Sequence, residues 1–175
     1  MLISRLEGNL HSYDISKFKI DTIDIQWYDT RKKIARWKSR NGKDVAMKLT
    51  DAPKMGLSQG DILYQKGDEI LAINILPAQV LCIYAQSSQE VAKICYEIGN
   101  RHSALFFGED AFEFRTPFEK PLKALFDKLN IKNSVLSARL DSASRISVSM
   151  AHAEPNVAIK ESPDFKITLY KQKEE

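Results

Sequence analysis

The sequence predicts an α+β protein: an N-terminal all-β sandwich or barrel, a ferredoxin-like βαββαβ unit and a flexible C-terminal tail. Three observations carry this reading. Residues 1–75 break into strand-length pieces with no helical period. Residues 78–140 read strand, helix, strand, strand, helix, strand. After Ser142 the periodicity fades, and Pro155 and Pro163 interrupt scattered charge. The expected divisions are 1–75, 76–148 and 149–175.

In the first unit, Thr22 to Trp27 alternates, with Ile23, Ile25 and Trp27 on one side. Ile34–Arg40 and Asp44–Leu49 flank Asn41-Gly42, a hairpin signal. A two-residue loop would pair Lys38 with Val45 and mix charge into the apolar face. A three-residue loop, Arg40-Asn41-Gly42, sets Trp37 opposite Val45, Ala35 opposite Met47 and Lys38 opposite Asp44. That register separates the faces and asks for a left-handed Gly42. Leu57–Asp61 reads as a turn. Strands follow at Ile62–Gln65 and Glu69–Ile75, joined by a Lys66-Gly67-Asp68 hairpin link.

In the second unit, Val80–Ala85 is a buried strand. Ser87 and Glu90 fit a capping box, and Val91, Ile94, Cys95 and Ile98 recur at helical spacing before Gly99, a natural stop. Ala104–Phe107 and Ala111–Phe114 bracket a Gly108-Glu109-Asp110 turn, with their phenylalanines assigned to the core. Thr116-Pro117-Phe118-Glu119 offers a second cap. Pro121 argues instead for a helix that starts nearer Glu119. Phe118, Leu122, Leu125, Phe126 and Leu129 line its apolar face, and Val135–Leu140 closes the sheet. Ile146–Met150 is a further candidate strand.

Composition narrows the function. The 175 residues carry 26 basic and 23 acidic side chains, a net +3 that does not by itself imply nucleic acid. No apolar run approaches the roughly 18 residues of a membrane span, and the first residues lack a signal-peptide layout. These features describe a soluble, cytoplasmic chain without a membrane partner. Cys82 and Cys95 form no Cys-x-x-Cys pair and read as buried free thiols. No nucleophile-elbow, phosphate-loop, dinucleotide or zinc-protease motif is present, so nothing supports an enzyme. His11, His102 and His152 are the three histidines, and none has a second within turn spacing.

The segment Tyr96-Glu97-Ile98-Gly99-Asn100-Arg101-His102 resembles the Gly-Asn-Arg-His signature of the UreE family, the urease accessory nickel chaperones. Asp29–Arg36, Gly56–Asp61 and Phe118–Pro121 also resemble stretches of its Helicobacter-type members, so the likeness spans most of residues 1–155. The resemblance implies a β domain like a chaperone peptide-binding domain, a ferredoxin-like metal-binding domain, a metal-binding tail and a homodimer. It further implies that the chain binds Ni(II) and hands it to the urease apoprotein complex together with an accessory GTPase. The family's ligand positions fall on His102 and, in the tail, His152. Imidazole suits Ni(II), and it serves Zn(II) or Cu(II) at the same site. A two-fold axis beside His102 would double a single weak donor, and a tail histidine would leave positions open for water. Such an open site exchanges its ion, unlike a closed structural zinc site. Many relatives carry a histidine-rich tail or a His-x-His pair. Here Ser103-Ala104 follows His102, and the tail holds one histidine. That count predicts about one strong site per dimer. Glu154, two residues past His152, is considered as an oxygen donor but not assigned as a ligand, and His11 reads as a surface residue.

The rival reading is an RNA- or ribosome-binding assembly factor that uses the basic hairpin 31–43, which contains no acid. The second unit lacks the basic and aromatic pattern of an RNA-recognition sheet, and the favoured register turns Trp37 inward. A small metal-dependent enzyme would need a fixed acid near His102, and none is suitably spaced.

Overall fold

The structure, a computed structural model, describes residues 1–147. Its first half contains β1 (Leu2–Ile3), β2 (Gly8–Asn9), β3 (Lys19–Ile25), β4 (Ile34–Lys38), β5 (Asp44–Lys48), β6 (Asp61–Lys66) and β7 (Glu69–Ile75). Short 3-10 turns at Leu10–Ser12, Ile15–Lys17 and Trp27–Asp29 connect them. The strands form two sheets, ordered β1-β5-β4 and β2-β6-β7-β3. Ile3, Val45 and Met47 from the first sheet meet Ile23, Leu63 and Ile73 from the second in one buried cluster. This is the expected sandwich.

The β4/β5 hairpin has the register that face separation requires. Ala35 lies opposite Met47, Trp37 opposite Val45 and Lys38 opposite Asp44. The Ser39 N–H donates to the Lys43 carbonyl at 2.9 Å, and Gly42 has φ +83. Trp37 packs against the sandwich core, so the basic hairpin does not present it for stacking. At the β6/β7 hairpin, Gly67 takes φ +60 between the paired Lys66 and Glu69. Two pairings are parallel, β1 with β5 and β3 with β7. The strand expected at Thr22–Trp27 starts at Lys19 and stops at Ile25, because Trp27 begins a 3-10 turn.

The second half runs β8 (Ala78–Tyr84), α1 (Ser88–Asn100), β9 (Phe106–Phe107), β10 (Glu113–Pro117), α2 (Lys120–Lys128) and β11 (Asn133–Ala138). Its sheet is antiparallel with order β11-β8-β10-β9, the ferredoxin-like arrangement. Ile94 and Ile98 of α1 and Leu122 and Phe126 of α2 cover one face through Leu81, Ile83 and Phe114. The opposite face carries Val80, Cys82 and Phe106, with Leu140 and Trp27 packed on it. The Trp27 ring meets Phe106 edge-on at 6.3 Å. Two polar contacts join the halves beside it. Arg139 Nε donates to the Ile75 carbonyl at 2.7 Å, and the Gln59 N–H donates to the Asp141 carboxylate at 3.2 Å.

Several local expectations change. The Ser87 hydroxyl accepts from the Glu90 N–H at 3.2 Å, but the Glu90 carboxylate reaches back to the Gln86 N–H. Helix α1 runs through Gly99 to Asn100, so Gly99 is not its stop. Thr116 and Pro117 belong to β10 and do not cap α2. That helix follows Glu119 and carries Pro121 in its first turn, where a missing N–H costs nothing. Phe106 and Phe114 are buried, whereas Phe107 and Phe112 are exposed. Cys82 is buried, but Cys95 is only half-buried. The candidate strand Ile146–Met150 is not formed at its described start: Arg145 makes a single bridge to Phe106, and Ile146 packs on the helical core. Residues 148–150 lie outside the described residues, as does the expected tail.

Glu113 is a buried carboxylate at the β9/β10 turn. Arg115 Nε donates to it at 2.7 Å, and the Glu109 N–H donates to its other oxygen. Burial pushes its carboxyl up, but Arg115 and these donors outweigh that and hold it below the usual range. A lowered folded-state pKa gives stability that is present above the ordinary carboxylate range. That stability is lost as pH falls through the lowered value. Acid unfolding of Glu113→Gln, followed by circular dichroism, should therefore be less steep than that of the parent chain. A methyl group on Gly108 would lie 2.6 Å from Glu113 Cβ. Gly108→Ala should cost about 1–3 kcal/mol in urea unfolding, the usual penalty of overpacking.

Candidate metal centre

Cys95, Gly99 and His102 are spaced i, i+4 and i+7, so α1 and its exit turn present them on one side. The helix end is built by backbone hydrogen bonds. The His102 N–H donates to the Gly99 carbonyl at 2.9 Å, and the Ser103 N–H donates to the Ile98 carbonyl at 3.2 Å. These two bonds form a Schellman motif with Arg101 as C-cap. The residue after the cap must then be left-handed, and His102 has φ +53. Glycine usually fills that position because a Cβ crowds the backbone there. Helix α2 ends with the same pair of bonds, and there the left-handed residue is Asn130, at φ +54. Asparagine tolerates the conformation through its short polar side chain.

Both flanks of His102 are tied down. Arg101 donates to the Glu97 carboxylate at 2.7 Å and to the Glu97 carbonyl at 3.1 Å. The Ser103 hydroxyl donates to Glu119 at 3.2 Å. The imidazole itself is exposed and makes no side-chain hydrogen bond among the described residues. It faces the carbonyl end of α1, where the helix dipole favours a cation.

His102 lines a cavity of about 600 Å³ between the two halves. Cys95 and Gly99 share its α1 wall, and burial pushes the Cys95 thiol up, so it stays protonated. Arg31 and Lys54 come from the β sandwich, and Arg145 and Ser147 from the segment after β11. No carboxylate is among the lining residues. Sequence reasoning missed Cys95, Arg31, Lys54 and Arg145 as neighbours of His102. The spacing of Cys95 to His102 was a usable signal, but the three cations lie far apart in the chain and carried none.

Among the described residues, no three His, Cys, Asp or Glu side chains gather to hold a metal ion. His11 stands exposed in the 3-10 turn Leu10–Ser12 of the β sandwich and does not line the cavity at His102. His152 and Glu154 lie outside the described residues. In the basic hairpin, Lys32 pairs with Asp29, Lys38 with Asp44, Arg40 with Asp24 and Lys43 with Glu69. Much of its charge is thus compensated, which disfavours a nucleic-acid surface. No helix among the described residues is long and apolar enough to cross a membrane.

A left-handed histidine carries a backbone cost that glycine avoids. In chemical unfolding, His102→Gly should be more stable than His102→Ala by about 1 kcal/mol. Equal stabilities would mean that the turn relaxes around any side chain.

Two family models match the chain. UreE urease accessory protein, N-terminal domain, covers residues 3–76, and the corresponding C-terminal domain covers residues 78–154. The urease accessory protein UreE of Helicobacter pylori strain G27 is 56% identical over 169 residues, 97% of this chain and 99% of the relative. That of Helicobacter acinonychis strain Sheeba is 57% identical over the same shares. The Helicobacter bizzozeronii protein is 46% identical over 155 residues, 89% of this chain and 88% of the relative. With both domains matched and identity running over nearly the whole length, the chain belongs to the UreE urease accessory protein family, whose members are accessory proteins and not enzymes.

Proposed function

We propose that this chain is a nickel metallochaperone that delivers Ni(II) for assembly of the urease active site. In this reading His102 from each protomer of a homodimer grips one ion, and His152 of the tail adds a further nitrogen. The division of labour is a β domain over 1–75, a metal-binding domain over 76–148 and a tail over 149–175. The urease accessory GTPase and the urease apoprotein complex are the partners, and the cytoplasm is the setting.

The observation that carries the proposal is the exit of α1. An exposed imidazole there is held by a backbone turn that glycine would make more cheaply. A histidine at that position, with its ring exposed and unbonded, supports use of the ring. The path of the chain supports the role of His152. Ser147 lines the same cavity as His102, and His152 follows it by five positions in the sequence. The surrounding charge suits a carrier. With Arg31, Lys54 and Arg145 nearby and no lining carboxylate, the field favours release of a dication that the nitrogen donors hold. Zn(II) and Cu(II) would compete for the same donors.

Calorimetric titration of the full chain with Ni(II), with native mass measured in parallel, tests the reading. It should give about one tight ion per dimer. His102→Ala should abolish tight binding with the fold intact. His152→Ala should weaken binding by at least the roughly 10–100-fold known for lost supporting groups around a metal. Affinity should fall as pH is lowered, because a protonated imidazole has no free lone pair. Unchanged affinity in His102→Ala, or several tight ions per chain, would overturn the proposal.

A further inference from the structure

The cavity beside His102 gathers three cations and no lining carboxylate. Its cations arrive from three separate segments and are positioned by structure rather than chance. Arg31 and Lys54 are brought together by a close backbone approach. The Leu57 N–H donates to the Thr30 carbonyl at 2.8 Å, and Gly56, at φ +102, sits where a Cβ would lie 3.0 Å from the Thr30 oxygen. Arg145 is fixed from the other side. Its guanidinium lies over the Phe106 ring at 5.9 Å, and the next N–H, of Ile146, donates to the Leu105 carbonyl at 2.8 Å. Among the described residues none of the three cations has a carboxylate partner. Arg145 is half-buried, and burial together with the charge of Arg31 pushes its pKa down. Two guanidinium groups thus repel each other inside a concave site.

We propose that this interdomain cavity binds a small phosphate-bearing ligand, held by Arg31, Lys54 and Arg145. An anion between these groups relieves their repulsion and supplies the missing counter-charge. Guanidinium forks match phosphate oxygens in pairs, which an ammonium does not. The volume of about 600 Å³ exceeds what a bare phosphate fills and lies in the range of small-molecule sites. Met55, Leu105 and Ile146 add apolar wall beside the cations. The ligand is therefore a phosphate ester with an apolar or aromatic body, rather than the inorganic ion alone.

The test uses the full, metal-stripped chain, so that it stands or falls apart from nickel binding. Inorganic phosphate and phenyl phosphate are titrated separately and followed by calorimetry and amide NMR shifts. Both should saturate, with phenyl phosphate the tighter, and the shifts should centre on residues 31, 54 and 145. Arg31→Gln and Arg145→Gln should each weaken binding about tenfold or more, the size of one lost charge-assisted hydrogen bond. Arg145→Lys should keep part of it. Arg31 and Lys54 are exposed, so Arg31→Gln and Lys54→Gln remain informative even if Arg145→Gln disturbs the fold. No saturable binding of either probe at millimolar concentration would overturn the proposal. Binding that Arg31→Gln and Lys54→Gln leave unchanged would overturn it too. Tighter binding of inorganic phosphate than of phenyl phosphate would overturn the ester.

Discussion

A four-stranded sheet with both helices on one side leaves its other apolar face to be covered. That requirement organises this molecule. Val80, Cys82 and Phe106 form the bare face, and Trp27 of the β sandwich closes over it. Burying an aromatic or aliphatic side chain of this kind stabilises by roughly 1.5–3 kcal/mol. The contact therefore fixes the two halves relative to each other. The Arg139–Ile75 and Gln59–Asp141 hydrogen bonds add direction to a contact that is otherwise only apolar. The exit of α1 consequently opens into a cleft whose other wall is the sandwich. The surroundings of His102 are set by how the halves pack and not by its own helix alone.

The exit turn couples that architecture to chemistry. A Schellman ending aims its left-handed residue away from the helix, and Arg101 and Ser103 are tied back to Glu97 and Glu119. The ring of His102 is thus presented on a fixed base while its own atoms remain uncommitted. In the proposed role of metal carrier, donors must be positioned before the ion arrives and must release it afterwards. The carbonyl end of α1 favours a cation, and the cleft cations oppose it. For that role the balance of the two fields suits exchange better than storage. The same cations form the phosphate site proposed above.

The sequence made much of the fold legible, for reasons that can be named. In the β4/β5 hairpin only one register keeps Trp37 and Val45 on the apolar face, so patterning decides it. Pro121 likewise located the start of α2, because proline is free of cost only in a first turn. The misreadings share a cause. Gly99 was read as a stop because glycine is the usual left-handed residue, yet the chain continues one more step and uses His102. Phe107 and Phe112 looked like core by composition, but β9 is an edge strand and Phe112 sits in the turn that follows it. Local residue preference cannot report which strand ends up at an edge.

By itself the sequence determined the two-part α+β plan and the scarcity of histidines, and its Gly-Asn-Arg-His segment singled out His102 through a family resemblance. The plan depends on short-range periodicity and the resemblance on a contiguous motif, and both are written along the chain. Tertiary structure alone decided that Arg31, Lys54 and Arg145 share one cavity with that imidazole. They are separated by long stretches of sequence, and the docking of the two halves, with Trp27 on the bare sheet face and the hydrogen bonds beside it, brings their segments together. Such a convergence has no period and no motif, because it arises from how two independently patterned units dock.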